Sequence, residues 1–166
     1  MAKAKYQLDD FLAIVNDRDR DFVLTIHNML VEKGYKLKVQ VTKTYGLHIA
    51  YAQPKIKTVK GIIAYFLVQA GQLMMRVNAD HLSQYPQILD RLPESMVSQI
   101  AGASDCLKIK DPQKCWQGCM GYAFEIRGRQ YGKCICNCFM LTVDAASFPF
   151  LVEMLEQESA QRGVGI

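Results

Sequence analysis

Four consecutive segments between residues 36 and 77 have the pattern of β-strands joined by short connections. In KLKVQVT, the apolar residues Leu37, Val39 and Val41 alternate with polar ones, which is the period-two pattern of a half-buried strand. LHIAYA has the composition of its partner strand, and GIIAYFLVQ is nearly all apolar, as in a central strand. The tight turn at Ala70-Gly71 then leads into QLMMRV. We therefore predict an antiparallel meander of about four strands.

Helical patterns lie on both sides of this meander. A helix is predicted from Leu8, and a longer amphipathic helix after Asn16 that ends at Gly34. Two short helices are predicted over residues 80–89 and 93–101, and a final helix follows Ser147, which is a typical capping residue. The predicted fold class is α+β, with an antiparallel sheet of four to six strands packed against helices in a single domain over residues 1–166.

Length and composition exclude several classes of protein. A chain of 166 residues with 50% hydrophobic and 22% charged residues is neither a multidomain assembly nor a disordered protein. No apolar run approaches the roughly 20 residues that a membrane-spanning helix needs. The start, MAKAKYQLDD, becomes acidic before any apolar stretch, so we expect no secretory signal, no membrane partner and a cytoplasmic location.

All six cysteines lie in one segment, between residues 106 and 138. Disulfides are disfavoured in the cytosol, so metal binding explains this concentration better than structural cross-linking does. The x3 spacing of Cys115 and Cys119 lets one loop supply two thiolates, and a hairpin after Cys119 would return the chain to deliver Cys134. We predict a cysteine-rich, metal-stabilised hairpin segment over residues 105–140 as an excursion from the main sheet.

The choice of ligands depends on the conformation of residues 134–138. If this stretch is extended, Cys134, Cys136 and Cys138 project from the same face and cannot all bind one ion comfortably. The predicted ligands of a tetrahedral Zn²⁺ are therefore Cys106, Cys115, Cys119 and Cys134, with Cys136 and Cys138 as small buried residues. Replacement of one ligand by Cys136 or Cys138 stays open. An iron–sulfur cluster is less favoured because the ferredoxin spacings are absent, and thiol redox chemistry or unligated thiols are further alternatives.

Two resemblances accompany these patterns. The run DCLKIKDPQKCWQGCMGYAFEIRGRQYGKC resembles a segment of small uncharacterised bacterial proteins, which implies that its four cysteines act together. The first hundred residues loosely resemble YdhG-like α+β domains, which implies a fold of helices and an antiparallel sheet. An iron-handling role is sometimes attached to YdhG-like proteins, but this sequence lacks the acidic helix face expected for it.

The net charge of +4 is unevenly distributed along the chain. Residues 33–79 contain seven lysines, Arg76 and no Asp or Glu, so this region carries +8 and the rest of the chain carries −4. Tyrosines are interleaved with these lysines. A basic sheet with aromatic side chains can hold an anionic small molecule, or single-stranded nucleic acid through phosphate attraction and base stacking. The candidate ligand-binding residues are Lys38, Tyr51, Lys55, Lys57 and Tyr65.

Other interpretations of the basic region remain. Exposed lysines also protect edge strands from aggregation, and tyrosine is a good strand former. No phosphate-binding loop, dinucleotide fingerprint, zinc-protease motif or nucleophile elbow is present. We therefore predict a zinc-stabilised binding module for an anionic small molecule rather than an enzyme. The alternatives are redox or metal-handling chemistry of the cysteines, single-stranded nucleic-acid binding and, last, an enzyme with an acid–base site around His48.

Overall fold

A five-stranded antiparallel sheet organises the chain, of which a computed structural model describes residues 5–163. The first four strands are β1 (Lys36–Thr42), β2 (Gly46–Ala52), β3 (Ile62–Gln69) and β4 (Gln72–Val77), and each pairs with the next. Ala70 and Gly71 both have positive φ angles, as the two central residues of a type I′ hairpin turn require. The predicted meander is confirmed. A fifth strand, β7 (Met140–Thr142), pairs with β4 at the far edge.

Helices cover one face of this sheet, here called the inner face. These are α1 (Leu8–Ile14), α2 (Arg20–Glu32) and α6 (Phe148–Gln161), which pack against β1 to β4. Gly34 ends α2 as predicted, because its φ of +91° lets the Tyr35 amide bond back to the carbonyl of Leu30 at 2.9 Å. The buried core extends from Phe11 in α1 to Leu155 in α6. The α+β class with helices against an antiparallel sheet is therefore confirmed.

Two further helices differ in their bounds from the prediction. The chain forms a 3-10 turn at Leu82–Gln84 and then α3 (Pro86–Asp90), rather than one helix over residues 80–89. Tyr85, just before Pro86, has φ −140° and ψ 50° because a residue that precedes proline avoids helical angles, and this separates the two pieces. The next helix, α4 (Glu94–Gly102), begins after Pro93 and matches the prediction within one residue.

The cysteine-rich segment forms a small sheet of its own. After α5 (Leu107–Lys110), β5 (Tyr122–Ile126) and β6 (Arg129–Lys133) pair as a hairpin, and the buried side of β5 joins the core. Lys133 attaches this hairpin to the end of α4. Its Nζ donates to the carbonyls of Ala101 and Ala103, both at 2.8 Å, and to Asp105 Oδ1 at 3.0 Å. This buried ammonium group and the core side chains of β5 together hold the hairpin against the rest of the fold.

Residues 134–139 form a turn instead of continuing β6. The carbonyl of Cys134 accepts a hydrogen bond from the amide of Cys138 at 3.1 Å, so the chain folds back and enters β7 in the main sheet.

The capping role predicted for Ser147 is wrong, although α6 does begin directly after it. The Ser147 hydroxyl donates instead to the Thr142 carbonyl at 2.7 Å and accepts the Asp144 amide at 3.0 Å. No helix within residues 5–163 is long and apolar enough to cross a bilayer.

Candidate functional site

The outer face of the main sheet carries one row of aligned side chains. Strand register places Lys38 opposite Ala50, Ala50 opposite Tyr65, and Tyr65 opposite Arg76. All four residues belong to the face opposite the helices, because the alternate residues of each strand lie in the core. Neighbouring strands lie about 4.8 Å apart, so Lys38 and Tyr65 flank the small Ala50 at about 10 Å. The row therefore aligns two cations and one aromatic ring.

An aromatic side chain from the β1–β2 turn closes over this face. Tyr45 meets His48 edge-on at 5.5 Å between ring centroids and lies 6.4 Å from the ring of Tyr65. Its hydroxyl accepts a hydrogen bond from Arg76 Nη1 at 3.2 Å. The guanidinium carbon of Arg76 lies 5.2 Å from the centroid of the Tyr65 ring, within cation–π range. We call Tyr45, His48, Tyr65 and Arg76 the Arg76 cluster.

Arg76 has no acidic partner among residues 5–163. Its Nε is buried and makes no hydrogen bond, which is uncommon because a buried donor without an acceptor costs about 1–3 kcal/mol. Burial raises the pKa of the Tyr65 hydroxyl, and the Arg76 charge opposes that rise. Tyr45 accepts from Arg76 and keeps its own hydroxyl hydrogen for another acceptor. The cluster is therefore rich in donors and carries an uncompensated positive charge.

His48 is only 2% exposed and lies beneath Tyr45. Its Nδ1 lies 3.0 Å from the carbonyl of Gly46 and must donate there, because a carbonyl oxygen can only accept. In a neutral ring, Nε2 is then an acceptor. The rings of His48 and Tyr65 are 6.3 Å apart without a hydrogen bond between them, so the geometry favours a supporting role for His48 rather than acid–base chemistry.

The cysteine segment meets the Arg76 cluster at the turn over residues 134–139. Met140, which follows this turn, is the cross-strand partner of Arg76 in β7. Burial raises the pKa of the Cys136 thiol and nearby Cys134 raises it further, whereas the Arg76 charge lowers it. Cys136 in turn raises the pKa of Tyr65, after the larger effect of burial. The two features that the sequence placed far apart thus adjoin at Cys136 and Arg76.

The cysteines approach one another mainly in pairs. Burial raises the pKa of the Cys119 thiol most, the Gly121 amide opposes this, and a hydrogen bond with Cys115 adds to the rise. Cys134 and Cys136 form a second pair of neighbouring thiols, and Cys134 adds to the rise that burial causes in the pKa of Cys136. The thiol of Cys106 is buried against the backbone of Gly121. A Cβ atom added to Gly121 would lie 2.4 Å from this sulfur. Cys138 is fully buried in the core, which raises its pKa strongly.

These pairs do not form a closed metal cage. Within residues 5–163, no group of three or more His, Cys, Asp or Glu side chains is arranged to hold a metal ion. The predicted ligands are distributed unevenly, since Cys106 and Cys119 are buried, Cys134 is half-buried and Cys115 is exposed. The prediction left Cys136 out of the zinc ligands because it assumed an extended conformation for residues 134–138. Residues 134–139 form a turn, so that argument does not apply. The prediction of zinc stays untested, with Cys136 as a further candidate ligand.

The structure separates the predicted ligand-binding residues. Lys38 and Tyr65 share the outer face, whereas Tyr51 is fully buried on the inner face, where its hydroxyl lies 3.1 Å from Nδ1 of His27. Tyr51 therefore cannot contact a ligand that rests on Tyr65. Lys55 and Lys57 are exposed on the loop between β2 and β3, beyond the row of aligned side chains.

Sequence reasoning missed Tyr45 and Arg76 as site residues. Arg76 is the only charged residue in QLMMRV, and it alternates with Met75 and Val77, which lie in the core. A charged side chain at an outward position of a central strand is therefore a sequence signal that could have indicated Arg76 as a site residue. Tyr45 left no comparable signal, because a turn residue has no periodic pattern that shows the direction of its side chain.

Comparisons with models of known protein families, with curated proteins and with solved structures found no match.

Proposed function

We propose that this protein is a binding module for an anionic small molecule and that the Arg76 cluster is its binding site. The observation that carries the proposal is the state of Arg76, a half-buried cation with no carboxylate partner among residues 5–163 and with a buried, unpaired Nε. An anion supplies the missing counter-charge, and its oxygens accept from the part of the guanidinium that is not buried.

The surroundings of Arg76 suit a small ligand with a flat or aromatic part. The hydroxyls of Tyr45 and Tyr65 add donors for further oxygens, while the exposed part of the Tyr65 ring offers a surface for stacking. Lys38 lies in the same row and extends the positive field, to which the +8 charge of residues 33–79 contributes. These features support a negatively charged ligand and disfavour a cationic one.

The test is titration of the protein with three anionic probes at low salt: inorganic phosphate, adenosine monophosphate and a 12-nucleotide single-stranded DNA. We expect adenosine monophosphate to bind more tightly than phosphate because it adds a stacking base. Binding should weaken as salt is added, since screening reduces the attraction. Preferential binding of the DNA, with affinity that depends steeply on salt, would instead support the nucleic-acid alternative.

A matched pair of arginine variants makes this test specific. Arg76→Met should lower affinity for adenosine monophosphate at least about tenfold, which corresponds to about 1.4 kcal/mol. Arg129→Met is the control, because Arg129 also lies over a tyrosine ring, that of Tyr131 at 5.3 Å, but is exposed and outside the cluster. Equal affinities of wild type and Arg76→Met for every probe would reject the proposal.

We further propose that a zinc ion stabilises the cysteine-rich segment. The support is the arrangement of Cys115 with Cys119 and of Cys134 with Cys136 as two thiol pairs on neighbouring loops. Two pairs of thiolates form a usual donor set for structural zinc. The raised pKa values of Cys119 and Cys136 mean that binding must displace protons, so zinc affinity should increase with pH.

Elemental analysis of protein purified without chelators tests the zinc proposal. We expect about one equivalent of zinc per chain and lower thermal stability after chelation. Cys115→Ser should lose the metal, whereas Cys138→Ala should keep it, because Cys138 is buried in the core. A metal-free protein with six freely titrating thiols would contradict the proposal. A coloured protein that contains iron would favour a cluster instead.

A further inference from the structure

A cavity of about 450 Å³ opens on the inner side of the sheet, away from the Arg76 cluster. It lies between the 3-10 turn Asp17–Asp19, the first turn of α2, the start of β4 and the chain that follows β7. This volume falls within the range of small-molecule sites. The Asn16 side chain donates to the Gly71 carbonyl at 3.1 Å and the Val143 amide to the Leu73 carbonyl at 2.9 Å, so two sides of the cavity are fixed.

Asp19 brings an almost uncompensated charge into this cavity. The residue is 8% exposed, yet its carboxylate does not cap α2 and accepts no hydrogen bond from residues 5–163. The nearest cation is Arg18, whose Nε lies 3.5 Å away on a side chain that is 82% exposed. A flexible, solvated arginine compensates a buried carboxylate weakly, because it is screened and loses entropy when it is held.

The rest of the lining combines a second carboxylate with an apolar floor. Asp144 accepts the backbone amides of Ala146 at 2.9 Å and Ser147 at 2.8 Å through Oδ1 alone. Phe22, Leu73 and Val143 form the apolar part of the lining. The Phe22 ring is held in place by Phe148, at 4.6 Å between ring centroids. Arg18 also lines the cavity, so two carboxylates face one exposed guanidinium beside aromatic and aliphatic surface, and the lining carries a net negative charge.

We propose that this cavity binds an organic cation, namely a primary ammonium group that carries a small apolar substituent. The ammonium would pair with Asp19 and Asp144, and the apolar part would cover Phe22, Leu73 and Val143. A bare metal ion would leave the apolar floor uncovered, whereas a neutral ligand would leave the Asp19 carboxylate with the exposed Arg18 as its partner. The site is independent of the proposed anion site and binds a ligand of opposite charge.

Titration with 2-phenylethylammonium and with its neutral analogue 2-phenylethanol, followed by NMR of the methyl groups, tests this proposal. We expect the ammonium to shift the methyl resonances of Leu73 and Val143 and to bind at least about tenfold more tightly than the alcohol. Asp19→Asn should reduce ammonium affinity to about that of the alcohol. Asp17→Asn should leave it unchanged, because the Asp17 side chain on the same turn is 90% exposed and pairs with Arg20.

Two results would overturn the proposal. One is equal affinity of wild type for the ammonium and the alcohol, and the other is the absence of shifts at Leu73 and Val143 at millimolar ligand. The comparison of the two ligands uses the wild-type protein alone, so it remains decisive even if Asp19→Asn does not fold.

Discussion

Arg76 shows how a residue can favour binding over stability. Its cation–π contact with Tyr65 and its bond to Tyr45 offset only part of the cost of a half-buried guanidinium with an unpaired Nε. A residue of similar length without charge would fill the same space without that cost. The position therefore makes sense if an external anion completes it, which is the basis of the proposed function.

This imbalance predicts the stability of Arg76→Met. The variant should lose no more than about 1 kcal/mol in its free energy of unfolding, because removal of an unpaired buried polar group is favourable and offsets the lost contacts with Tyr45 and Tyr65. Equilibrium unfolding measured without added anions checks this. A loss of more than about 2 kcal/mol would show that Arg76 is a structural residue of the sheet.

His27 makes a second residue-level prediction, on pH. Burial lowers its pKa below 6.5, and Tyr51 lies 3.1 Å from its Nδ1. The unfolded chain therefore binds a proton more readily, so stability is fully present above about pH 6.5 and is lost as pH falls toward the folded-state pKa. Urea midpoints measured between pH 8 and pH 5 should fall less in His27→Gln than in wild type. Parallel pH profiles of the two proteins would contradict this.

Side chains alternate between the two faces of a strand, and this alternation explains which site residues could be predicted. Lys38 occupies an outward position that the alternation of β1 and the charge pattern make visible. Tyr65 also lies outward, but β3 is nearly all apolar and its composition does not show this. Tyr51 was included because LHIAYA is apolar on both sides, so its composition does not show which face is buried. Its parity with Ile49, a core residue, places it on the inner face. Residues outside regular strands, such as Tyr45, depend on tertiary contacts that no local pattern encodes.

The elements were predicted best where a periodic pattern and a turn signal agreed. The meander, α2 and the hairpin of β5 and β6 meet this condition. The turn over residues 134–139 was missed because CICNCFML alternates like a strand, whereas the carbonyl of Cys134 bonds to the amide of Cys138. This turn brings Cys136 beside Arg76 in the proposed site. It also lets the chain join the main sheet as β7.

The end of α6 is attached to the sheet by one buried arginine. Arg162 donates to the carbonyls of Lys60 at 3.0 Å and Asn78 at 2.9 Å, and to Asp80 Oδ2 at 2.8 Å. Its Nε lies 3.4 Å from Oε2 of Glu158, which is fully buried. Removal of Arg162 therefore breaks the attachment of α6 and leaves a buried carboxylate with less compensation.

Arg162→Met should accordingly lower the free energy of unfolding by about 3–5 kcal/mol. The control is Arg91→Met, which removes an exposed ion pair in which Nη2 of Arg91 donates to both carboxylate oxygens of Glu153, at 2.7 and 2.9 Å, and should cost about 1 kcal/mol or less. Urea unfolding of both variants and of wild type measures the two losses of free energy of unfolding. Similar losses in the two would mean that burial of the Arg162 network adds nothing to stability.

At the scale of the whole molecule, the sheet separates two environments. The outer face carries the Arg76 cluster and belongs to the basic region, whereas the inner side, under the helices, contains the core and the cavity at Asp19. The basic region supplies β1 to β4, and two of its cations, Lys38 and Arg76, lie on the outer face. The charge distribution along the sequence predicted an anionic partner, and the strand register and the contacts of Arg76 are the basis for proposing where it binds.

The most direct test of the central claim is the NMR signal of the Arg76 side-chain Nε–H group during titration with adenosine monophosphate. If an anion binds the Arg76 guanidinium, the resonance of its Nε–H group should shift progressively and saturate with the binding curve, while the Arg129 Nε–H signal stays in place. An Arg76 signal that does not move, at concentrations where adenosine monophosphate is bound, would contradict the account.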